Sequence, residues 1–311
     1  MPALFAHYYM AQSAASRMPA DWRGALNPDA FIWGSLGPDS LFFHRAFPPR
    51  PSRSLRKYGS RLHQMDPAVL FEAMFTLYES GAYTSITQSY IYGFICHYGL
   101  DRAVHPFIYA LEEQIMARDQ LDCLPIFIHN LIEHNIDVHV LQRYRGVGGH
   151  KYCAASVLPV GQDVLPELAG FMAELMNRLF GRRFTERELH TAFADTRRLC
   201  RWLFDRTGRK RRFFIRLERL LRTGPAISSM IRPKTPDSGT DFIGAGAGEW
   251  RYPADGESGP LQTEGFFTLT KRAAIESATM LSCWQACRET GQWIDFTRHI
   301  SFASGRPYTE Q

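Results

Sequence analysis

Apolar positions along this chain recur at helical rather than strand spacing. After Asp66-Pro67, the residues Val69, Leu70, Met74, Phe75 and Leu77 fall three to four positions apart and line one side of a helix. Asp66 is placed as its N-cap and Pro67 as its first helical residue. The same period predicts helices over about 3–17, 84–103, 107–117, 123–141, 163–180, 186–205, 208–223 and 266–289. Thr185 followed by Glu188 is a capping-box start. The stretch from the first helix to about residue 66 is rich in Pro, Gly and Asp and reads as loop. Glycines 146, 148 and 149 place another loop at 143–151. A long irregular segment runs from about 224 to 264. Strict apolar–polar alternation is nearly absent and no repeat is visible. The expected fold class is therefore all-α, a multi-helix bundle without a substantial sheet. The expected organisation is one domain over 1–311, interrupted by the irregular insertion at about 224–264.

Composition adds little to that picture. Of 311 residues, 45% are apolar and 22% charged, ordinary values that allow a sizeable core without disulfides. Cys96, Cys123, Cys153, Cys200, Cys283 and Cys287 are scattered with no CxxC pair, which favours reduced thiols. Cys283 and Cys287 read as small core residues on one helix face. The N-terminal stretch lacks a basic start and carries His7, Tyr8 and Tyr9 where a signal peptide is apolar. No run approaches the roughly 18–20 apolar residues of a membrane span. The expected location is cytoplasmic. The GAGAG stretch is no phosphate-binding fingerprint, because no strand precedes it.

The net charge is +5, and much of the excess sits in Arg206, Arg209, Lys210, Arg211, Arg212, Arg216, Arg219 and Arg222. Such a run is usually a solvated helical face. The sharper reading is contact with an anionic membrane or, ranked below it, nucleic acid.

Histidines and carboxylates change the picture more. His97, Asp101 and His105 are spaced i, i+4, i+8, which puts all three on one helical stripe. His129 and Glu133 repeat the i, i+4 pair. Imidazoles and carboxylates so placed on neighbouring helices are the donor set of a catalytic zinc site in a bundle. The same donors suit other first-row divalent ions. One such pair is common on helix surfaces and carries no meaning alone; two pairs with a third histidine on the stripe do. Pro106, directly after His105, is expected to kink or break the helix and re-aim His105. One helix could then serve two metals.

At these residues the chain resembles the zinc-dependent phospholipase C family, related to the S1/P1 nucleases. That family's signature is an early His, a later Asp, a further His, His-x3-Asp, His-Pro and His-x3-Glu. His7, Asp39, His63, His97 with Asp101, His105-Pro106 and His129 with Glu133 match it in order. The resemblance covers about residues 1–140 and implies an all-α bundle of the phospholipase C/P1 nuclease type with two or three zinc ions. It implies that Asp39, His63, His97 and Asp101 hold one ion and His105, His129 and Glu133 a second. Asp101 would bridge to a third shared with His7. In the family the third ion also takes the amine and carbonyl of an N-terminal tryptophan. This chain begins Met-Pro, so a Pro2 amine is the available substitute.

By resemblance Asp39 is also the catalytic residue that orients or deprotonates water. The implied activity is hydrolysis of a phosphodiester, with a phospholipid as a candidate substrate. The alternatives are a nuclease or phosphatase on the same fold, or a non-catalytic, metal-stabilised helical binding module. Asp137, one turn beyond Glu133, is a candidate partner for a ligand histidine and equally a helix-surface charge. His134 points away and reads as structural or exposed, and His44 is a weaker ligand candidate. Phe42, Phe43, Tyr58, Tyr90 and Tyr92 are candidate cleft residues, although aromatics are more often core. Trp250 and Tyr252 are candidates for lipid or substrate contact.

Overall fold

The computed structural model describes residues 4–46, 54–81, 83–120, 122–246 and 248–310. Among them are eleven α-helices and no β-strand. Helix α1 is Leu4–Ala15, α2 Ala20–Gly24 and α3 Pro28–Ser35. A 3-10 segment, Gly37–Phe43, leads to α4, Arg56–His63. Then come α5 Pro67–Ser80, α6 Ser85–Asp119 and α7 Pro125–Arg145. The rest are α8 Val164–Phe180, α9 Glu186–Leu203, α10 Arg209–Leu221 and α11 Phe266–Thr290. The expected all-α class is what the molecule adopts.

The axis of the bundle is α6. Every residue from Ser89 to Asp101 is buried, as a helix apolar on all sides requires. Helices α3, α11, α7, α1 and α8 pack around it. Helix α3 crosses it where Gly34 and Gly93 each face the other helix's backbone. That close crossing holds the following 3-10 segment, and with it Asp39, against α6. One continuous apolar core includes Leu4 at one end of the chain and Phe302 near the other.

Two expectations are corrected. The stretch before residue 66 is not a loop, since it contains α2, α3, the 3-10 segment and α4. Helix α3 starts as α5 does. The Asn27 side chain caps the Ala30 N–H at 3.0 Å with Pro28 at the first turn, while Asp66 caps Ala68 at 2.9 Å before Pro67. Helix α6 also runs unbroken through Pro106. Proline removes the N–H that would bond the Arg102 carbonyl. Tertiary packing offsets that loss: Pro106 and its neighbours Val104 and Phe107 are buried. The C-terminal segment lies so close that a Cβ on Gly305 would meet the Arg102 oxygen at 2.6 Å.

Among its described residues the segment 224–264 is irregular as expected, with 3-10 turns at Ser228–Met230 and Pro253–Asp255. It is anchored by Trp250, which is buried edge-on against Phe107 at 5.6 Å. All six cysteines are free thiols. No helix among the described residues is long and apolar enough to cross a membrane.

Candidate metal centre

Asp101 lies at the middle of the buried stripe of α6, and its two oxygens face different ways. Oδ2 is 3.1 Å from His97 Nε2 and 3.5 Å from His63 Nε2. Oδ1 is 3.3 Å from His7 Nε2 and 3.8 Å from His105 Nε2. Asp39 Oδ1 approaches His63 Nε2 at 3.2 Å, and its Oδ2 approaches His97 Nδ1 at 3.8 Å. On α7, His129 Nε2 is 3.5 Å from Glu133 Oε1, and the His129 ring lies 5.7 Å from that of His105. All eight residues singled out by spacing and resemblance therefore come together. Three groups could each hold a metal ion, their donor atoms lying within 4.8 Å of one another. They are His7 with Asp39 and His97, His63 with His97 and Asp101, and His105 with His129 and Glu133.

Local backbone places these side chains. Gly37 opens the 3-10 segment at φ +52°, the left-handed region that glycine tolerates. A Cβ there would lie 2.3 Å from the His97 ring, so only glycine lets this turn reach α6. His63 ends α4, and its Nδ1 donates to the Gly59 carbonyl at 2.8 Å. His105 Nδ1 donates to the Phe302 carbonyl at 3.2 Å, and His129 Nδ1 faces Glu112 Oε2 at 3.2 Å. In all three rings Nδ1 carries the proton, which leaves Nε2 as the nitrogen turned on the cluster. Ligand histidines are held by this same arrangement.

The donor chemistry fits a divalent cation. His63 Nε2 and His97 Nε2 are 3.3 Å apart with carboxylate oxygens beside both. Lone pairs so crowded repel unless positive charge lies among them. His7 Nδ1 and His97 Nδ1 are buried with no hydrogen-bond partner.

The titration behaviour has the same cause. Burial disfavours the charged His63 ring, but bonds to Asp101 and Asp39 outweigh it and raise the ring to about 10. His129 is likewise raised to about 9, burial being overcome by Glu133 and Glu112. Burial opposes ionisation of Glu133, yet His129 and His105 help to bring it down to about 2. Asp101 is held well below the carboxylate range against its burial, chiefly by His105 and His97. His105 itself is lowered, because there burial dominates. The site holds an excess of negative charge and concentrates cations.

Aromatic rings pack against the centre. Phe42 stacks on His63 at 5.5 Å, and Phe302 lies 5.6 Å from His63 and 6.3 Å from His97. Tyr109 sits 5.7 Å from His105 and 5.2 Å from His129. Of the expected cleft aromatics, only Phe42 touches the cluster. Tyr90 and Tyr92 are core, Phe43 packs in a separate small core, and Tyr58 stacks among Phe180 and Phe184. Trp250 and Tyr252 stay apart from the cluster, Tyr252 lying under Arg306 at 3.8 Å.

Asp137 does not support a ligand histidine. It accepts the Phe5 and Ala6 N–H groups at 2.9 and 3.1 Å and pairs with Arg232 at 3.1 Å, so it caps the helix that carries His7. His44 is structural, accepting the Leu55 N–H at 3.0 Å. His134 is buried and donates to the Asn130 carbonyl at 2.7 Å. Burial and then Arg232 hold it neutral, down to about 3. Pro2 lies outside the described residues.

Sequence reading missed Glu112, Tyr109 and Phe302. Glu112 lies two turns past His105 on the α6 stripe, so its signal was present. Phe302 is far along the chain and carried none.

A family model described as zinc dependent phospholipase C matches residues 6–181, more than half of the chain. The chain belongs to the zinc-dependent phospholipase C family. All eight clustered residues fall within the matched segment, as do Glu112 and Tyr109. Phe302 falls outside it. No curated protein and no solved structure matches the chain. Within the zinc-dependent phospholipase C family, zinc is the metal that these donors are expected to take.

Proposed function

We propose that this chain is a zinc-dependent phosphoesterase that hydrolyses a phosphodiester, with a phospholipid as its substrate class. The observation that carries the reading is Asp101, whose two oxygens face four imidazoles from three different helices, α1, α4 and α6. One carboxylate so shared suits adjacent cation positions. Two sets account for two ions: Asp39, His63, His97 and Asp101, and His105, His129 and Glu133. A third position around His7 and Asp101 brings the count to three. Zinc in such a site supplies Lewis-acid charge to phosphoryl oxygens and brings the pKa of water toward neutrality.

The protein's own groups do the rest. The Nδ1 bonds of His63, His105 and His129 orient their rings so that Nε2 faces the cluster before a cation arrives. Phe42, Phe302 and Tyr109 place apolar surface beside the donors, which strengthens the electrostatics there. Asp39 orients the attacking water and accepts its proton. We also propose that 1–311 works as one domain, a reading supported by the continuous core from Leu4 to Phe302.

The test is Asp39→Asn, assayed on a soluble phosphodiester and on phosphatidylcholine. We expect zinc to be retained and turnover to fall by about 10²–10⁴, the usual contribution of a positioned base. Full turnover with full metal would remove the role assigned to Asp39.

A further inference from the structure

We propose that α10 is an interfacial helix that docks the protein on an anionic lipid surface. Its only buried residue is Glu218, whose carboxylate is turned inward to accept the Ser228 N–H at 2.9 Å. Two other polar groups are also tied down. Arg211 forms a paired contact with Asp237 at 3.0 and 2.6 Å, and Lys210 donates to the Phe204 carbonyl at 3.0 Å.

The outer face carries two stripes. Arg209, Arg212, Arg216 and Arg219 follow one another at helical spacing, all exposed. Beside them run Phe213, Leu220 and Leu221, spaced i, i+7, i+8, with the half-buried Leu217 between them. Phe213 is 59% exposed, Leu220 79% and Leu221 60%. Arg206 and Arg222 extend the cationic surface at either end. A helix in a soluble fold normally turns such an apolar stripe inward; this one turns it to solvent beside a row of cations.

That pairing selects the occupant. Arginines with adjacent Phe and Leu suit a surface that offers anionic headgroups and an apolar layer just beneath them. Nucleic acid supplies the anions but no apolar phase for the Phe213–Leu221 stripe. A second copy meeting on this face would set arginine against arginine, because a two-fold contact repeats the same patch. Docking through α10 does not depend on the metal centre.

The experiment is co-sedimentation with vesicles of phosphatidylserine in phosphatidylcholine, and with pure phosphatidylcholine. Wild type is expected to bind the first more tightly and to release as salt rises. The triple variant Arg212→Gln, Arg216→Gln, Arg219→Gln should bind about a hundredfold more weakly, at roughly 1 kcal/mol per cation. Phe213→Ser with Leu220→Ser should also weaken binding. These residues are exposed, so melting temperature and hydrolysis of a soluble phosphodiester should stay at the wild-type level. Equal binding to both vesicle types, no binding, or full binding by the triple variant would overturn the proposal. So would a wild-type dimer that the triple variant loses.

Discussion

Asp101 presents one carboxylate oxygen to His63 and His97 and the other to His7 and His105, and its own burial sets the stakes of that arrangement. Without metal, protons must supply the positive charge. His63 and His129 rise from the ordinary 6.5 to about 10 and about 9. Their stabilising contribution is complete below pH 6.5 and is lost as pH climbs through 9 to 10. Glu133 moves the other way, from 4.5 to about 2, so its contribution holds above 4.5 and fades as pH falls toward 2. The metal-free protein should therefore melt highest between about pH 4.5 and 6.5. Zinc must displace the protons on His63 and His129, so its affinity should rise with pH between 6.5 and about 9. Melts of chelated protein and zinc competition titrations across that range measure both. A zinc affinity that does not change with pH would contradict this account.

At the scale of elements, the donors on α6 and α7 were legible because i, i+4 spacing survives any packing arrangement. The stripe His97, Asp101, His105 needs only a helix. Where the helix would end was not legible. Pro106 argues locally for a break, and only the packing around Arg102 and Gly305 decides otherwise. The early helices were hidden by their Pro and Gly content, although Asn27-Pro28 repeats the signature read at Asp66-Pro67. Asp137 was misassigned for a related reason. Its position on the Glu133 stripe was visible, but its partners, Phe5, Ala6 and Arg232, come from distant elements. That contact makes Asp137 the anchor of α1. Asp137→Ala should leave Arg232, 10% exposed at its side chain, without a counterion and cost about 3–5 kcal/mol. It should also loosen His7 and weaken zinc binding more than a surface substitution of equal size. Chemical denaturation measures the first effect and zinc titration the second. A stability loss below about 1 kcal/mol would show that α1 is held by its apolar face alone.

At the scale of the molecule, the centre is closed by parts that meet only in the folded chain. Phe302 covers His63 and His97 and offers its carbonyl to His105, from 197 residues away. No periodicity or spacing could announce that contact. The basic run was visible, but not that α10 turns Phe213, Leu220 and Leu221 outward beside it. The family match ends at residue 181, so both features lie in the part of the chain that the family model does not cover. The bundle thus combines eight clustered donors that fall inside the family-matched segment with Phe302 and α10 from beyond it.

The central claim is that these donors hold zinc. The most direct test is elemental analysis of protein purified without a tag or added metal, alongside the Asp101→Ala, Glu133→Ala double variant. About two or three zinc per chain are expected, lost in the variant. Less than about one metal per chain, unchanged in the variant and not restored by added zinc, would contradict the claim. The cluster would then be a structural polar core, and a binding module would be the better description of the chain.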